Sequence, residues 1–267
     1  MIAPLVADST TMLRRSVRRM RRYPSMTLFV IALPVVLMLL FVFVFGGAMG
    51  AGLAGPAGAD AGRDVYLAYV VPGILLLTVA GVGQGIAISV SMDMTQGIIA
   101  RFRTMAIARA SVLGGHVLGA ILQALIAIAF VLAVALVLGF RPTTGPLAWT
   151  GAIGMLVLTA FAICWLCVAL GMSADSVETA SNSPMILTLL VFLSSAFVPP
   201  ATMPGPLAWF AEHQPFTPIT ETLRGLLLGT PVDGSAVVAV AWCVVISTAS
   251  YMWALRLYER LPTRPGA

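Results

Sequence analysis

Residues 26–45 read M-T-L-F-V-I-A-L-P-V-V-L-M-L-L-F-V-F-V-F and contain no charged side chain. A helix of this length measures about 30 Å, which matches the hydrocarbon core of a lipid bilayer. Pro34 lies inside the run, but a membrane helix tolerates proline where neighbouring helices cover the freed carbonyl. The stretch therefore predicts a transmembrane helix.

The remainder of the chain has the same apolar character. Apolar residues make up 60% of the 267 residues and charged residues only 9%, whereas soluble domains carry about 25% charged residues. A soluble globule needs polar groups to cover its surface, but lipid removes that need. The composition therefore predicts an all-α membrane protein that crosses the bilayer several times.

Further apolar stretches follow the first one and are separated by short polar or Gly/Pro-rich segments. The predicted second to sixth spans cover residues 65–92, 112–138, 149–172, the stretch that ends at 197–198, and 236–255. Each is long enough to cross a bilayer as a helix. The sequence thus predicts six transmembrane helices within one transmembrane domain at residues 26–256.

The distribution of arginine predicts the orientation. All 15 basic residues are arginines, and most lie in the N-terminal segment, in the 93–109 loop or in the C-terminal tail. The opposite side carries only Arg63, Arg141 and Arg224. Because basic residues are enriched in cytoplasmic loops, we expect both termini, with a short tail at residues 257–267, and the 93–109 loop in the cytoplasm.

An amphipathic helix is predicted at the N-terminus. Leu13, Val17 and Met20 share one helical stripe, and arginines cover the opposite side. Such a helix lies on an anionic membrane surface, so residues 1–25 are predicted to form a cytoplasmic interfacial helix, with a disordered basic tail as the alternative. The basic residues of this segment are Arg14, Arg15, Arg18, Arg19, Arg21 and Arg22.

The sequence contains no recognisable catalytic constellation. It has no lysine, which excludes a phosphate-binding G-x-x-x-x-G-K-[ST] loop. His116 and His213 have no G-x-S-x-G or H-E-x-x-H motif beside them and are predicted to be structural or interfacial. Cys164 and Cys167 form a C-x-x-C, predicted to be two small apolar residues on one helix face, with redox or metal chemistry as the alternative. We therefore predict no catalytic residue and no metal site.

The acidic residues do not form a proton relay either. Proton-coupled transporters bury carboxylates in the middle of the membrane, whereas all ten acidic residues here fall in loops or at span ends. Asp93, for example, is predicted at the cytoplasmic edge. A transporter without such a relay needs another energy source, and elimination favours a partner ATPase.

The 93–109 loop is the candidate contact for that partner. It reads D-M-T-Q-G-I-I-A-R-F-R-T-M-A-I-A-R, which combines apolar side chains with arginines at helical spacing. A short cytoplasmic helix of this kind fits a groove in a partner protein. The alternative is a cytoplasmic anchor that obeys the positive-inside rule and has no partner.

The segment between the fifth and sixth spans is expected outside the cell, yet it is far from hydrophilic. Residues 207–212 and 217–229 are predicted as two short helices, with Thr217 as the cap of the second helix, Pro218 at its first position and Gly229 at its exit. Neither piece can cross about 30 Å of hydrocarbon. We therefore predict a re-entrant hairpin that roofs the outer end of the pathway.

Three stretches resemble one protein family. They are residues 21–47, the 93–109 loop, and residues 197–229, which read F-V-P-P-A-T-M-P-G-P-L-A-W-F-A-E-H-Q-P-F-T-P-I-T-E-T-L-R-G-L-L-L-G. Together they resemble the permease subunit of type-2 ATP-binding-cassette exporters, in the daunorubicin-resistance branch. The resemblance implies an N-terminal interfacial helix, six spans, a cytoplasmic coupling helix and an extracellular re-entrant helical hairpin between spans 5 and 6.

The resemblance also implies roles for residues and partners. The ATPase-coupling segment of this chain is expected to contain Gly97, Arg101, Phe102 and Arg103. The extracellular re-entrant motif is expected to contain Pro199, Pro204, Pro215, Pro218 and Arg224. The family further implies a dimer of permeases, formed by two identical copies or by homologous subunits, and two copies of a separate ATPase subunit that holds ATP and Mg.

One functional expectation follows. The chain is expected to be the membrane-spanning subunit of an ATP-driven exporter in a bacterial plasma membrane, the cell inner membrane. It is expected to move an amphipathic, drug-like or lipid-like substrate outward, as in multidrug or lipid export and antibiotic resistance, with no catalytic site, no cofactor and no nucleic-acid partner of its own. The alternatives are an exporter of a cell-wall glycan or other polymer, and a membrane scaffold that transports nothing.

Overall fold

A computed structural model describes residues 24–54, 59–96, 109–232 and 234–260 of the chain. Within these ranges every regular element is a helix, which confirms the predicted all-α class. The interfacial helix predicted in residues 1–25 lies almost entirely outside the described residues, with all six of its arginines. The described residues also do not include the tail from residue 261 onward or the coupling residues Gly97, Arg101, Phe102 and Arg103. The interfacial helix, the coupling segment and the tail therefore remain predictions.

The first two long helices form an antiparallel hairpin. One runs without a break through α1 (Pro24–Leu40), a π-helical turn (Phe41–Phe45) and α2 (Gly46–Ala54), and α3 (Ala59–Thr95) returns beside it. Near the tip the two backbones come very close, and only glycine fits there. A Cβ atom added to Gly50 would collide with the backbone of Gly62. Contacts through small residues are typical of membrane helices, since lipid provides no hydrophobic force that drives helices together.

Helix α3 is the centre of the bundle. Its residues from Val70 to Ala80 are all buried, as expected for a helix with protein on every side. The next two long helices, α4 (Arg109–Val137) and α5 (Pro146–Ser173), both pack against it. Gly171 allows one of these contacts, because a Cβ atom at this position would lie 2.5 Å from the carbonyl oxygen of Ala87.

The predicted fifth span is not one continuous helix. It consists of α6 (Val177–Asn182) and α7 (Met185–Phe192), followed by turns over residues 193–198. Pro184 separates the two helices, because proline has no N–H and its ring clashes with the preceding turn. Beyond α7, the Ser194 hydroxyl donates to the Val191 carbonyl and accepts from the Ala196 N–H. Such local side-chain bonds compete with a continuing helix.

Three further helices complete the described part. A 3₁₀ turn (Pro200–Thr202) leads to α8 (Gly205–His213) and α9 (Phe216–Leu228), at the place where the sequence predicts two short helices. The last helix, α10 (Ser235–Arg260), packs mainly against α5. Helix α9 is largely buried and contacts α3, α5 and α10.

Five helices in the described ranges are long and apolar enough to cross a membrane, namely Thr27–Gly50, Gly62–Thr95, Leu113–Val137, Pro146–Ser173 and Ser235–Arg260. The predicted count of six is therefore not confirmed, because the stretch over residues 177–198 has no helix of that length. The first and last of the five expose many large apolar side chains, including Phe29 at 72% and Val237 at 75%. Such surfaces fit contact with lipid, and the chain is a membrane protein.

The contact between α3 and α5 yields a test of the packing. We expect Gly171→Ala to lower the stability by about 1–3 kcal/mol, because the added methyl group pushes against a backbone carbonyl that cannot rotate away. This loss corresponds to a decrease of several degrees in the apparent Tm of the detergent-solubilised protein.

The matched control is Gly154→Ala on the same helix, where the added Cβ meets nothing within 4 Å beyond the adjoining backbone of its own helix. We expect this variant to keep or raise the Tm, since alanine is the better helix former. Equal destabilisation by both variants would contradict the packing described above.

Candidate functional site

The prolines predicted for the extracellular motif lie at the starts of short helical segments. Pro199 precedes the 3₁₀ turn, Pro204 is the N-cap residue of α8, and Pro215 is the N-cap residue of α9. Pro218 lies in the first turn of α9. These positions suit proline, because the first turn of a helix has no intrahelical partner for its N–H groups.

Thr217 has a different role from the predicted one. Helix α9 begins at Phe216, two residues earlier than predicted, so Thr217 lies within the helix and the prediction of a Thr217 cap was wrong. Its hydroxyl accepts from the Ser195 N–H at 3.1 Å and donates to the Ala211 carbonyl. The reason is tertiary, since the Thr217 side chain is used to pair two buried backbone groups outside its own helix. The predicted exit at Gly229 is confirmed, with a φ of 73°.

Arg224 holds together three parts of the chain that are distant in sequence. Its Nη2 atom donates to the Ser195 carbonyl at 2.8 Å and to the Tyr69 carbonyl at 3.2 Å. The guanidinium also lies over the Tyr69 ring, 3.9 Å from its centroid. Arg224 therefore joins α9 to α3 and to the turn that follows α7.

The charge of Arg224 is compensated mainly by oriented dipoles. Carbonyl oxygens and the negative face of an aromatic ring both favour a cation, and Glu221 lies one helical turn away on α9. Burial lowers the pKa of Arg224 and raises the pKa of Glu221, and the opposite charge of each residue works against the shift of the other. The Nε atom of Arg224 is buried and finds no acceptor within the described residues.

Polar side chains of α3 donate hydrogen bonds to backbone carbonyls at both ends of the broken segment. The Gln84 amide donates to the Ser181 carbonyl at 2.8 Å, beside the break between α6 and α7. The Tyr69 hydroxyl donates to the Ser195 carbonyl at 2.9 Å, in the turns beyond α7. These carbonyls have lost their helical partners, and a buried carbonyl without a hydrogen bond is costly. Helix α3 therefore stabilises the interruptions of the neighbouring segment.

The connection between α4 and α5 holds the other end of α9. The Thr144 hydroxyl donates to the Leu226 carbonyl at 2.7 Å, and the Thr143 hydroxyl donates to the Leu228 carbonyl at 2.8 Å. The last carbonyls of a helix have no partner within the helix. Helix α9 is thus fixed near its middle by Arg224 and at its C-terminal end by this connection.

The opposite end of the bundle contains a pair of ionisable residues. The Nε2 atom of His116 on α4 lies 3.3 Å from a carboxylate oxygen of Asp93 on α3. Asp93 is at the end of its span, as predicted, and its side chain is buried. His213, predicted in an outer loop, instead ends α8 and stacks on Trp209 with ring centroids 4.8 Å apart.

The sequence interpretation missed Tyr69, Gln84 and the two threonines. The available signal was the presence of polar side chains inside or beside apolar spans, which are uncommon where lipid is the solvent. The sequence could not reveal their partners, because the acceptor carbonyls belong to residues far along the chain.

Comparison with known proteins places this architecture in a family. A profile of the ABC-2 type transporter family matches residues 9–228. The chain is 30% identical over 229 residues to the daunorubicin resistance ABC transporter permease protein DrrB1 of Streptomyces coeruleorubidus, which covers 85% of this chain and 77% of the relative.

A second relative agrees with the first. The chain is 25% identical over 244 residues to the probable doxorubicin resistance ABC transporter permease protein DrrC of Mycobacterium tuberculosis, covering 90% of this chain and 85% of the relative. These findings confirm the resemblance inferred from the sequence. The chain belongs to the ABC-2 type transporter family.

The contacts of Arg224 yield a test of the site. We expect Arg224→Lys to lower the apparent Tm, because an ammonium group lacks the planar guanidinium that lies on the Tyr69 ring while its Nη2 atom donates to two carbonyls. The expected loss is about 1–3 kcal/mol, the cost of leaving a buried polar group without its partner. Thermal unfolding of the purified protein measures it.

Arg256→Lys is the matched control, since Arg256 is exposed on α10 and the same substitution there leaves no buried carbonyl unpaired. An Arg224→Lys protein as stable as the control would show that the carbonyl contacts of Arg224 contribute little.

Proposed function

We propose that this member of the ABC-2 type transporter family is the membrane-spanning subunit of an exporter that moves an amphipathic, drug-like or lipid-like substrate outward. A separate ATPase subunit supplies the energy, and ATP and Mg are bound there. The observation that carries this proposal is the similarity, over most of the chain, to permeases of daunorubicin and doxorubicin resistance.

The proposed topology has six crossings, of which the fifth is a broken helix. Ser181 is bonded to Gln84 and Ser195 to Tyr69, and the positions of these two partners on α3 are separated by about 22 Å along the helix axis. The segment that contains α6 and α7 therefore extends over most of the thickness of a bilayer. Non-helical backbone is tolerated at this depth where protein buries it, and Ser194, Ser195 and Ala196 are all buried.

The proposed orientation places both termini in the cytoplasm of a bacterial cell. With six crossings, the arginine-rich N-terminal segment, the 93–109 loop and the C-terminal tail share one side, as the positive-inside rule requires. Helices α8 and α9 then lie on the outer side as a re-entrant hairpin. In the proposed assembly, this chain pairs with a second permease, identical or homologous, and with two ATPase subunits.

Helix α3 connects the two functional ends in this proposal. Its inner end carries Asp93 and leads directly into the proposed coupling segment, which contains Arg101 and Arg103. Its outer half carries Tyr69, which contacts Arg224 of the hairpin. A rigid helix transmits displacement between distant sites, so a movement imposed by the ATPase at the inner end reaches the outer hairpin.

The test is ATP-dependent transport by the reconstituted complex. We expect inside-out vesicles that contain the chain and its ATPase to accumulate a fluorescent amphipathic amine when ATP is added. The charge-reversing double variant Arg101→Glu/Arg103→Glu should abolish this accumulation and the retention of the ATPase on the purified permease, because two coupling contacts become repulsive.

The matched control is Arg256→Glu, which reverses an exposed charge on the same proposed side but outside the coupling segment. We expect it to transport at the wild-type rate. An absence of ATP-dependent accumulation by the wild-type complex would refute the exporter. Full retention of the ATPase by the double variant would refute the coupling role.

A further inference from the structure

We propose that Asp93 and His116 form a pin that fixes the axial register between α3 and α4, and that this register determines how much transport each ATP molecule drives. The pin makes the two helices move as one body at the ends that face the proposed coupling segment. Asp93 and His116 are thus positioning residues for the proposed transport cycle. The coupling part of this inference rests on the function proposed above, whereas the register part concerns the permease alone.

The pin joins the two helices that enter and leave the proposed coupling segment. Asp93 lies near the end of α3, four residues before Gly97, and His116 lies seven residues after the first residue of α4. The Nε2 atom of His116 is 3.3 Å from a carboxylate oxygen of Asp93. Because a helix rises by about 1.5 Å per residue, the contact lies within about 10 Å of the facing ends of α3 and α4.

Both side chains of the pin are withdrawn from solvent. Their exposed fractions are 7% for Asp93 and 14% for His116. Val90 on α3 and Leu113 on α4, each three residues before one member of the pin, are fully buried. An ionisable side chain in such apolar surroundings is costly to leave without its partner. The two helices are therefore held in the arrangement that keeps the carboxylate and the imidazole together.

The rest of the buried side of α4, which packs against α1, α3 and α5, has few large side chains. Small side chains let helices approach closely, whereas large side chains that fit into grooves set the relative position of two helices. A buried polar contact supplies the missing specificity, as a single buried polar residue does in coiled coils. The small buried residues of α4 are Gly115, Gly119, Ala120, Ala124, Ala127 and Ala135.

A slip of α4 by one helical turn would separate the pin. The residues about one turn before and after His116 include Leu113 and Ala120, and neither side chain can pair the Asp93 carboxylate. One turn corresponds to about 5.4 Å, a step by which packed elements shift past each other. The pin therefore selects one register among those that the apolar surfaces accept.

A fixed register matters for a subunit that is driven by a partner. In the proposed cycle, the ATPase acts on the segment that joins α3 to α4. If these helices slide past each other, part of the imposed movement is lost between them. If they are pinned, the movement passes to α3, whose other end carries Tyr69 and its contact with Arg224. The population of the pinned register therefore changes the yield of transport rather than the rate of ATP hydrolysis.

The test replaces both members of the pin by leucine. Asp93→Leu/His116→Leu removes the polar contact without leaving a buried charge, and replacements of this kind are often neutral for stability. We therefore expect an apparent Tm close to that of the wild type, although the register is no longer fixed. The swapped variant Asp93→His/His116→Asp restores the pin with exchanged partners.

Spin labels report the register in the permease alone. Cysteines replace Thr95 on α3 and Leu118 on α4, which are both exposed, whereas the native cysteines are buried and stay unlabelled. Double electron–electron resonance then measures the distance between the two labels in lipid nanodiscs, with labelled chain diluted in unlabelled chain. We expect one distance for the wild type and the swapped variant. The double-leucine variant should show a second distance, displaced by up to about 5 Å.

The yield of transport is measured on the complex reconstituted with its ATPase, as the amount of fluorescent amphipathic amine transported per ATP hydrolysed. If the two registers are about equally populated in the double-leucine variant, this ratio falls about twofold while ATP hydrolysis continues at the wild-type rate. The swapped variant should keep the wild-type ratio. Asp175→Asn is the matched control, since it removes an exposed carboxylate at the same end of the bundle, and it should change neither the distance nor the ratio.

A single wild-type distance in the double-leucine variant would overturn the register pin, and an unchanged ratio would overturn its role in coupling. Two distances in the swapped variant would overturn the pairing itself. If the double-leucine variant does not fold, Asp93→Asn/His116→Leu takes its place, because a neutral amide is less costly to bury than a carboxylate. The distance measurement needs neither ATPase nor substrate, so an absence of transport by the wild type would refute the exporter and leave the register result intact.

Discussion

The structure depends on one constraint: within a bilayer, no backbone N–H or carbonyl can rely on water for its hydrogen bond. The long helices meet this constraint internally. The segment over residues 177–198 does not, because Pro184 and the turns beyond Phe192 interrupt its helical bonds. Gln84 and Tyr69 supply the missing partners from α3. The largely buried position of α3 places these donors within reach of the interrupted segment.

The same constraint explains how helix α9 is fixed. Helix α9 leaves its own last carbonyls unpaired, and the connection between α4 and α5 pairs them through Thr143 and Thr144. Arg224 adds a bond to a carbonyl that already accepts from Tyr69. Buried polar groups that share partners stabilise a single arrangement. Helix α9 is therefore attached to the bundle at several points.

The distribution of polar groups along the bundle agrees with the proposed function. Ionisable side chains of the described residues meet at the two ends of the bundle, with Asp93 and His116 at one end and Arg224 beside Tyr69 at the other. Between these ends, α3 packs closely against α5 through Gly83 on α3 and Gly171 on α5. Such close contacts transmit displacement without placing charged groups in the hydrocarbon. This arrangement suits the proposed subunit, which takes its energy from a partner.

The sequence by itself determined the class of the protein, its long helices and its family. Apolar runs such as residues 26–45 are local signals, since hydrophobic length alone decides whether a helix fits the bilayer. Only the tertiary structure decided which side chains pair the carbonyls of the broken fifth segment, why Thr217 is not a cap and what Arg224 binds. In each case the deciding group is a backbone carbonyl or N–H distant in sequence. Every residue carries such groups, so no side-chain pattern marks which of them will need a partner.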